Sequence, residues 1–224
     1  MSKTETLQAE RKQPQETQQT QQTRANGMNG PDTTEARRFM IKSQLRTSGV
    51  NDEVTLARMR DVPREDFLPP EKAALAYIDR SVPLAGGGAL AAPLFYGKAL
   101  VEAAARRDDR ALVVENGTGY LAELVRPLVG ALEVTGAAEA AGGKVPGDGD
   151  FTLVLIDGAI EQLPDSLAAR VAEGGRVVGG LVLRGVTRLA SGRRIAGRVA
   201  FMPVEDLGIP VLSAFAKPKG WSFP

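Results

Sequence analysis

The apolar positions fall into two regimes. Residues 111–114, 151–156 and 177–183 are short, nearly unbroken apolar runs, the pattern of strands buried on both faces. Residues 131–135 predict a further strand beside the first. Elsewhere the apolar residues recur at helical spacing. A helix is predicted over 35–46 with Phe39, Ile41 and Leu45 inward, ended by Gly49. A second is capped by Asp52, turns Val54, Leu56 and Met59 inward and stops before Pro63. Residues 73–77 suit a short helix, and Pro93 suits the first turn of a longer one running to about Arg106. Residues 121–128 are amphipathic, and 163–171 predict another helix with Pro164 in its first turn. Toward the end, residues 186–189 and 195–201 suggest a hairpin turning at Ser191-Gly192. The stretch 207–224 is expected to pack on the sheet as loop and short strand.

Strand, glycine turn and helix come together once, at Ala111-Leu112-Val113-Val114-Glu115-Asn116-Gly117-Thr118-Gly119-Tyr120. This is the opening unit of a nucleotide-binding α/β fold. Residues 1–33 are Gln- and Thr-rich with little to bury and are expected to be disordered, either a solvated tail or a docking segment for a protein partner. The expected organisation is that tail, then a single domain over 34–224: a helical and substrate-loop segment over 34–92 and a Rossmann-like core over 93–224.

Composition narrows the chemistry. The 224 residues include 43% apolar and 25% charged side chains, a soluble globular balance. A net charge of +1 argues against nucleic acid as the main partner. There is no Cys and no His, which removes thiolate zinc sites, disulfides and His-based catalytic triads. Without a run of 18 apolar residues or a secretory leader, no membrane association is expected and the cytoplasm is the expected compartment.

Several pieces, in order, resemble the protein-L-isoaspartate O-methyltransferases. They are Ser43-Gln44-Leu45-Arg46 with Gly49-Val50, then Val62-Pro63-Arg64-Glu65-Asp66-Phe67-Leu68-Pro69, then Ala76-Tyr77 and Val82-Pro83-Leu84. Gly117-Thr118-Gly119-Tyr120, Asp157-Gly158-Ala159, Leu163-Pro164-Asp165-Ser166-Leu167 and Glu173-Gly174-Gly175-Arg176-Val177-Val178 follow. The ending Lys217-Pro218-Lys219-Gly220-Trp221-Ser222-Phe223 looks like a shorter bacterial branch of that family. The resemblance implies an S-adenosylmethionine-dependent enzyme with a doubly wound, Rossmann-like α/β sheet. Its activity would be methylation of the side carboxylate of isoaspartyl residues, a protein repair reaction. It implies cofactor contacts at Glu115, Asn116, Gly117, Gly119, Tyr120 and Asp157, and a substrate loop at Ala91 and Pro93, with no side chain required as a catalytic base and no metal. A carboxylate is already a nucleophile at neutral pH, so proximity and orientation carry the reaction.

Four departures from the family pattern define what the structure must answer. Aligned without gaps, the acid position of the glycine motif holds Val113 and its first glycine is Glu115; in a shortened loop, Glu115 is itself the acid. The ribose-binding acid expected at the end of the second strand falls on Thr135 or Gly136, with Glu133 two residues early and Glu139 beyond. Residues 136–151 are too short for the usual helix and third strand, so the sheet is expected to be shortened in the middle. The hydroxyl of the substrate loop is replaced by Ala91 in Ala89-Leu90-Ala91-Ala92-Pro93. An alternative reading of these departures is an inactive pseudoenzyme that keeps the fold as a binding or partner module. Individual residues also carry plainer readings: Tyr120 as core, Asp157 as a turn-former, and Arg64 with Glu65 as a structural ion pair.

Overall fold

A computed structural model describes residues 33–217. The expectations for the tail before residue 33 and for the ending around Trp221 lie outside the described residues. Two short strands, β1 (Val82–Pro83) and β2 (Ala89–Leu90), pair antiparallel. The main sheet has six strands: β3 (Arg110–Glu115), β4 (Ala131–Gly136), β5 (Phe151–Ile160), β6 (Val171–Leu183), β7 (Val186–Ile195) and β8 (Arg198–Asp206). Their order is β4-β3-β5-β6-β7-β8, parallel through β6 and antiparallel after it. Alternate residues of a strand serve opposite faces. Ala111 and Val113 of β3 join one core with Leu153 and Leu155 of β5, while Leu112 and Val114 join another with Val154 and Ile156. Covering on both faces is why these strands read as unbroken apolar runs.

The first face is covered by α1 (Thr34–Met40), α2 (Glu53–Asp61), α3 (Pro93–Ala103) and α4 (Tyr120–Val125). The second is covered more thinly by α5 (Ala137–Ala141), α6 (Asp165–Ala168) and the C-terminal residues Leu212 and Phe215. As expected from its length, the link from β4 to β5 holds no strand, so β4 is an edge; the helix for which no room was expected is present in short form as α5. Asp52 caps α2, accepting from Thr55 N–H at 2.7 Å.

Several expectations are corrected. Phe39 is 65% exposed and Val54 56% exposed; Met40, Leu45, Leu56 and Met59 are the buried positions. A π-helical turn over Ile41–Leu45 adds a residue per turn and rotates the face that the 3.6-residue period assigns inward. In place of the short helix expected at 73–77, residues Pro70–Leu75 form a 3-10 helix that begins three residues earlier. The helix expected over 163–171 stops at Ala168, because Val171 already pairs with Phe151 in the sheet. The hairpin turns at Ala196-Gly197, not Ser191-Gly192. Gly192 lies inside β7, where a Cβ would stand 2.8 Å from the Phe201 ring: the glycine admits an aromatic, not a turn. Both two-residue turns, Arg184-Gly185 and Ala196-Gly197, have positive φ at each position, the geometry that suits twisted hairpins.

Arg64 and Glu65 do not pair with each other. Glu65 pairs with Arg37 at 3.0 Å and accepts from the Tyr77 hydroxyl. Arg64 is fully buried. Its guanidinium donates to Ala76 O and Ala91 O, each at 2.7 Å, and lies 5.3 Å and 5.0 Å from the Tyr96 and Tyr120 ring centres. One side chain thus ties the Val62–Pro69 connector to the loop ahead of α3. Substituting Arg64→Met keeps the volume but leaves two buried carbonyls without donors, at about 1–3 kcal/mol each. The expected result is a urea midpoint lowered by the equivalent of about 3 kcal/mol at unchanged slope; an unshifted midpoint would show that these bonds do not hold the loop.

Candidate functional site

The glycine turn begins where β3 ends, at Glu115. Val113 lies inside the strand with its side chain in the core, so the residue leaving the strand is the acid, as in the shortened-loop alignment. Gly117 and Gly119 have φ of 85° and 76°, a left-handed conformation that side chains rarely adopt. Gly119 leads directly into α4, and Thr118 Oγ1 accepts from Tyr120 N–H at 3.3 Å. The turn is roofed by the β1–β2 hairpin. Ala89 N–H donates to Asn116 O at 3.2 Å, and a Cβ on Gly88 would fall 2.4 Å from that same oxygen. Backbone therefore meets backbone, and the loop Ala89–Pro93 is seated beside the glycine turn. Ala91 and Pro93 are both buried; Ala91 spends its carbonyl on Arg64 and its N–H on the Tyr96 hydroxyl, at 3.1 Å.

Two carboxylates stand at adjacent strand ends. Glu115 is in register with Gly136, the last residue of β4. It is half-buried, and burial raises its carboxyl, with Arg126 acting in the opposite direction. Gly136 then caps α5, and α5 turns Glu139 back over the strand end. The position a Gly136 Cβ would take lies 2.3 Å from Glu139 Oε2. A side chain at 136 and the carboxylate of 139 compete for the same space. A carboxylate thus stands beside the strand end, carried by a residue three positions later. Neither Glu115 nor Glu139 makes a side-chain hydrogen bond or ion pair among the described residues.

Asp157 does not end β5. The strand continues to Ile160 through an irregularity between Leu155 and Ala159, and Asp157 with Gly158 occupies it. Asp157 shares the alternation of Leu153, Leu155 and Ala159, which face the first core, and it is only 1% exposed. Neither carboxylate oxygen completes a hydrogen bond of ordinary geometry. Burial pushes the carboxyl up to about 7; Glu115 adds to the rise, while the Tyr96 hydroxyl, Arg64 and the Asn116 backbone amide oppose it. Tyr120 is fully buried, its ring edge-on to Phe67 and Tyr96 with centres 5.2 and 4.9 Å apart, and its hydroxyl is unpartnered. Tyr120 is therefore core by packing, although it opens the helix of the turn. The sequence reading missed Tyr96 and Arg64 as members of this polar knot. The signal was there only as adjacency, Arg64 in the most distinctive motif and Tyr96 three residues past Pro93.

A separate groove of about 1210 Å³ lies on the N-terminal segment and is lined by residues between Glu35 and Asp79, none of them from the glycine turn. No group of three or more His, Cys, Asp or Glu among the described residues could hold a metal. None of the helices among them is long and apolar enough to cross a membrane.

Comparison with known proteins includes the glycine turn in its family match. The sequence profile of the protein-L-isoaspartate(D-aspartate) O-methyltransferase family matches residues 36–139, ending at Glu139. The protein-L-isoaspartate O-methyltransferase of Methylorubrum extorquens is 31% identical over 205 residues, covering 78% of this chain and 90% of the relative. That of Methylorubrum populi is 32% identical over 203 residues, covering 77% and 96%. Among solved structures, a protein-L-isoaspartate O-methyltransferase of Plasmodium falciparum, in complex with S-adenosyl-L-homocysteine, superposes with a TM-score of 0.63 at 17% identity, over 80% of this chain and 98% of the other.

The burial of Asp157 has a direct consequence for stability. Between about pH 4 and 7 the folded protein keeps this proton while the unfolded chain gives it up. This group's contribution is full below the unfolded value and falls as pH rises toward 7, by at most about 1.4 kcal/mol per pH unit. Asp157→Asn is expected to remove that slope. Urea unfolding of both proteins from pH 5 to 8 checks it: parallel curves would mean that Asp157 is not held protonated.

Proposed function

Because the chain belongs to the protein-L-isoaspartate O-methyltransferase family, we propose that it binds S-adenosylmethionine at the carboxyl ends of β3, β4 and β5 and methylates the side carboxylate of isoaspartyl residues in altered proteins. The observation that carries this reading is the pair of unpartnered carboxylates, Glu115 and Glu139, at adjacent strand ends beside a glycine turn. The turn fits the cofactor. Its positive-φ glycines keep side chains out of the cradle, and its acids supply acceptors where an ammonium and a ribose diol require them. Glu115, Asn116, Gly117 and Gly119 form the methionine end of this site with Tyr120 packed behind them in the core, Glu139 takes the ribose hydroxyls, and Asp157 lies beneath.

S-adenosylmethionine supplies, when bound, a methyl group activated by its sulfonium. The substrate carboxylate is ionised at neutral pH and needs no base, so a chain without His meets the requirement. What the protein contributes is orientation and exclusion of water. The hairpin held to Asn116 sets the distance between the substrate loop and the glycine turn. The carboxylates below the turn lie where positive charge must be held before transfer. Ala91, at the position of the family's loop hydroxyl, offers no side-chain hydrogen bond. Alignment of the substrate then rests on the backbone of the loop that Arg64 fixes. The cytoplasm is the proposed place of action. The pseudoenzyme alternative gains no support, since Glu139 stands in for one of the departures that motivated it and the relatives carry the enzyme's name.

Calorimetric titration with S-adenosylhomocysteine, followed by methyl transfer to an isoaspartyl peptide, tests the proposal. Saturable binding and transfer are expected. Glu139→Gln should weaken binding by about tenfold, the loss of one charge-assisted acceptor. No binding by the wild-type chain at millimolar ligand would overturn the cofactor assignment, and unchanged affinity in Glu139→Gln would overturn the role given to that acid.

A further inference from the structure

Asp157 is the one acid near the glycine turn that is both sealed from solvent and without an ordinary hydrogen bond. A buried carboxylate in that condition is costly, and the group avoids the cost by keeping its proton. The charges that face it are few. Arg64 reaches it from the 3-10 turn Arg64–Phe67, the Tyr96 hydroxyl from α3, Glu115 from the end of β3, and the Asn116 amide from the turn itself. Tyr120 and the Ala91 loop close the same knot, the first through Arg64 and the second through Tyr96. Glu115 and Asp157 follow directly on Val114 and Ile156 respectively, which are paired across adjacent strands. Arg64 favours the ionised form of Asp157 and Glu115 opposes it, so its charge is left open. One further positive charge at the turn would decide it.

Building on the cofactor site described above, we propose that Asp157 is a charge sensor that distinguishes methyl donor from spent product: ionised when the sulfonium-bearing donor is bound, protonated when the neutral thioether is bound. The donor carries one more positive charge than the product and is otherwise nearly the same molecule. Uptake of the donor near neutral pH therefore sends the Asp157 proton to solvent. Loss of the sulfonium charge on transfer lets Asp157 take a proton back. This discrimination lies in the protein rather than in any contact with the methyl group. Below pH 7 the donor must first displace the proton and binds less well; above it no proton remains to displace. The product meets no such penalty, so the preference for donor over product grows with pH and then levels off.

The test is the ratio of the dissociation constants of S-adenosylhomocysteine and S-adenosylmethionine, measured by calorimetry from pH 5.5 to 8.5 in wild type and Asp157→Asn. In wild type the preference for the donor is expected to rise on the order of tenfold across that range. The variant should lose most of that rise. Titrations belonging to the ligands themselves are common to both proteins and cancel between them. Should the variant not fold, wild type alone gives a second readout. At pH 7, calorimetry in two buffers of different ionisation enthalpy should show a fractional proton released with the donor and none with the product. Binding of both ligands with equal pH profiles in wild type and variant, or equal proton release for both ligands, overturns the sensor while leaving the cofactor site intact. Failure of wild type to bind either ligand overturns the site itself and the sensor with it.

Discussion

Arg64 donates to the carbonyls of Ala76 and Ala91 while its guanidinium lies against two tyrosine rings, with no solvent reaching it. A charge in that position is tolerable only if its surroundings stay put. The connector that carries it, the loop that accepts from it and the two aromatic residues beside it must move together or not at all. Tyr120 opens α4 after the glycine turn and Tyr96 lies in the first turn of α3, so this constraint reaches the glycine turn and Asp157. The site therefore inherits its rigidity from a buried cation that also acts on the charge of Asp157. Through Arg64, the most distinctive motif in the sequence, Val62–Pro69, holds the loop ahead of α3.

A second constraint is length. The link between β4 and β5 lacks a strand and most of a helix, and β4 becomes an edge. What remains is one turn of helix whose acid lies over the strand end. Gly136 and Glu139 are two halves of one arrangement: the glycine leaves a space and the acid fills it. A residue-by-residue alignment sees an acid lost. In the folded chain a carboxylate stands at that strand end, carried by Glu139.

Much of the fold was legible because its strands are buried on both faces and its helices begin at Asp52, Pro93 and Gly119. Period fails where a π-helical turn rotates α1 and its continuation, which is why Phe39 was expected inside. Glycine was misread at 192, since close approach to an aromatic and a tight turn demand the same residue. At the site, the glycine turn and Glu115 were visible as local motifs. Neither the return of Glu139 nor the sealing of Asp157 could be read in advance: one depends on the direction of a single helical turn, the other on a strand that continues past its expected end with this position facing the core. Arg64 and Glu65 were correctly read as structural but wrongly joined, because their partners lie at Arg37, Ala76, Tyr77 and Ala91, far away in sequence.

The two tight turns at Arg184-Gly185 and Ala196-Gly197 also divide the sheet by the separation of its contacts. Across β6, β7 and β8 each strand meets its neighbour through a two-residue loop, and closing such loops costs little chain entropy. Ala111 of β3 meets Leu153 of β5 across some forty residues, so that pairing demands a far larger restriction of the chain before any contact rewards it. The glycine turn belongs to this second half. In the order of assembly, the C-terminal meander can nucleate on its own, whereas the functional end of the sheet waits for long-range closure.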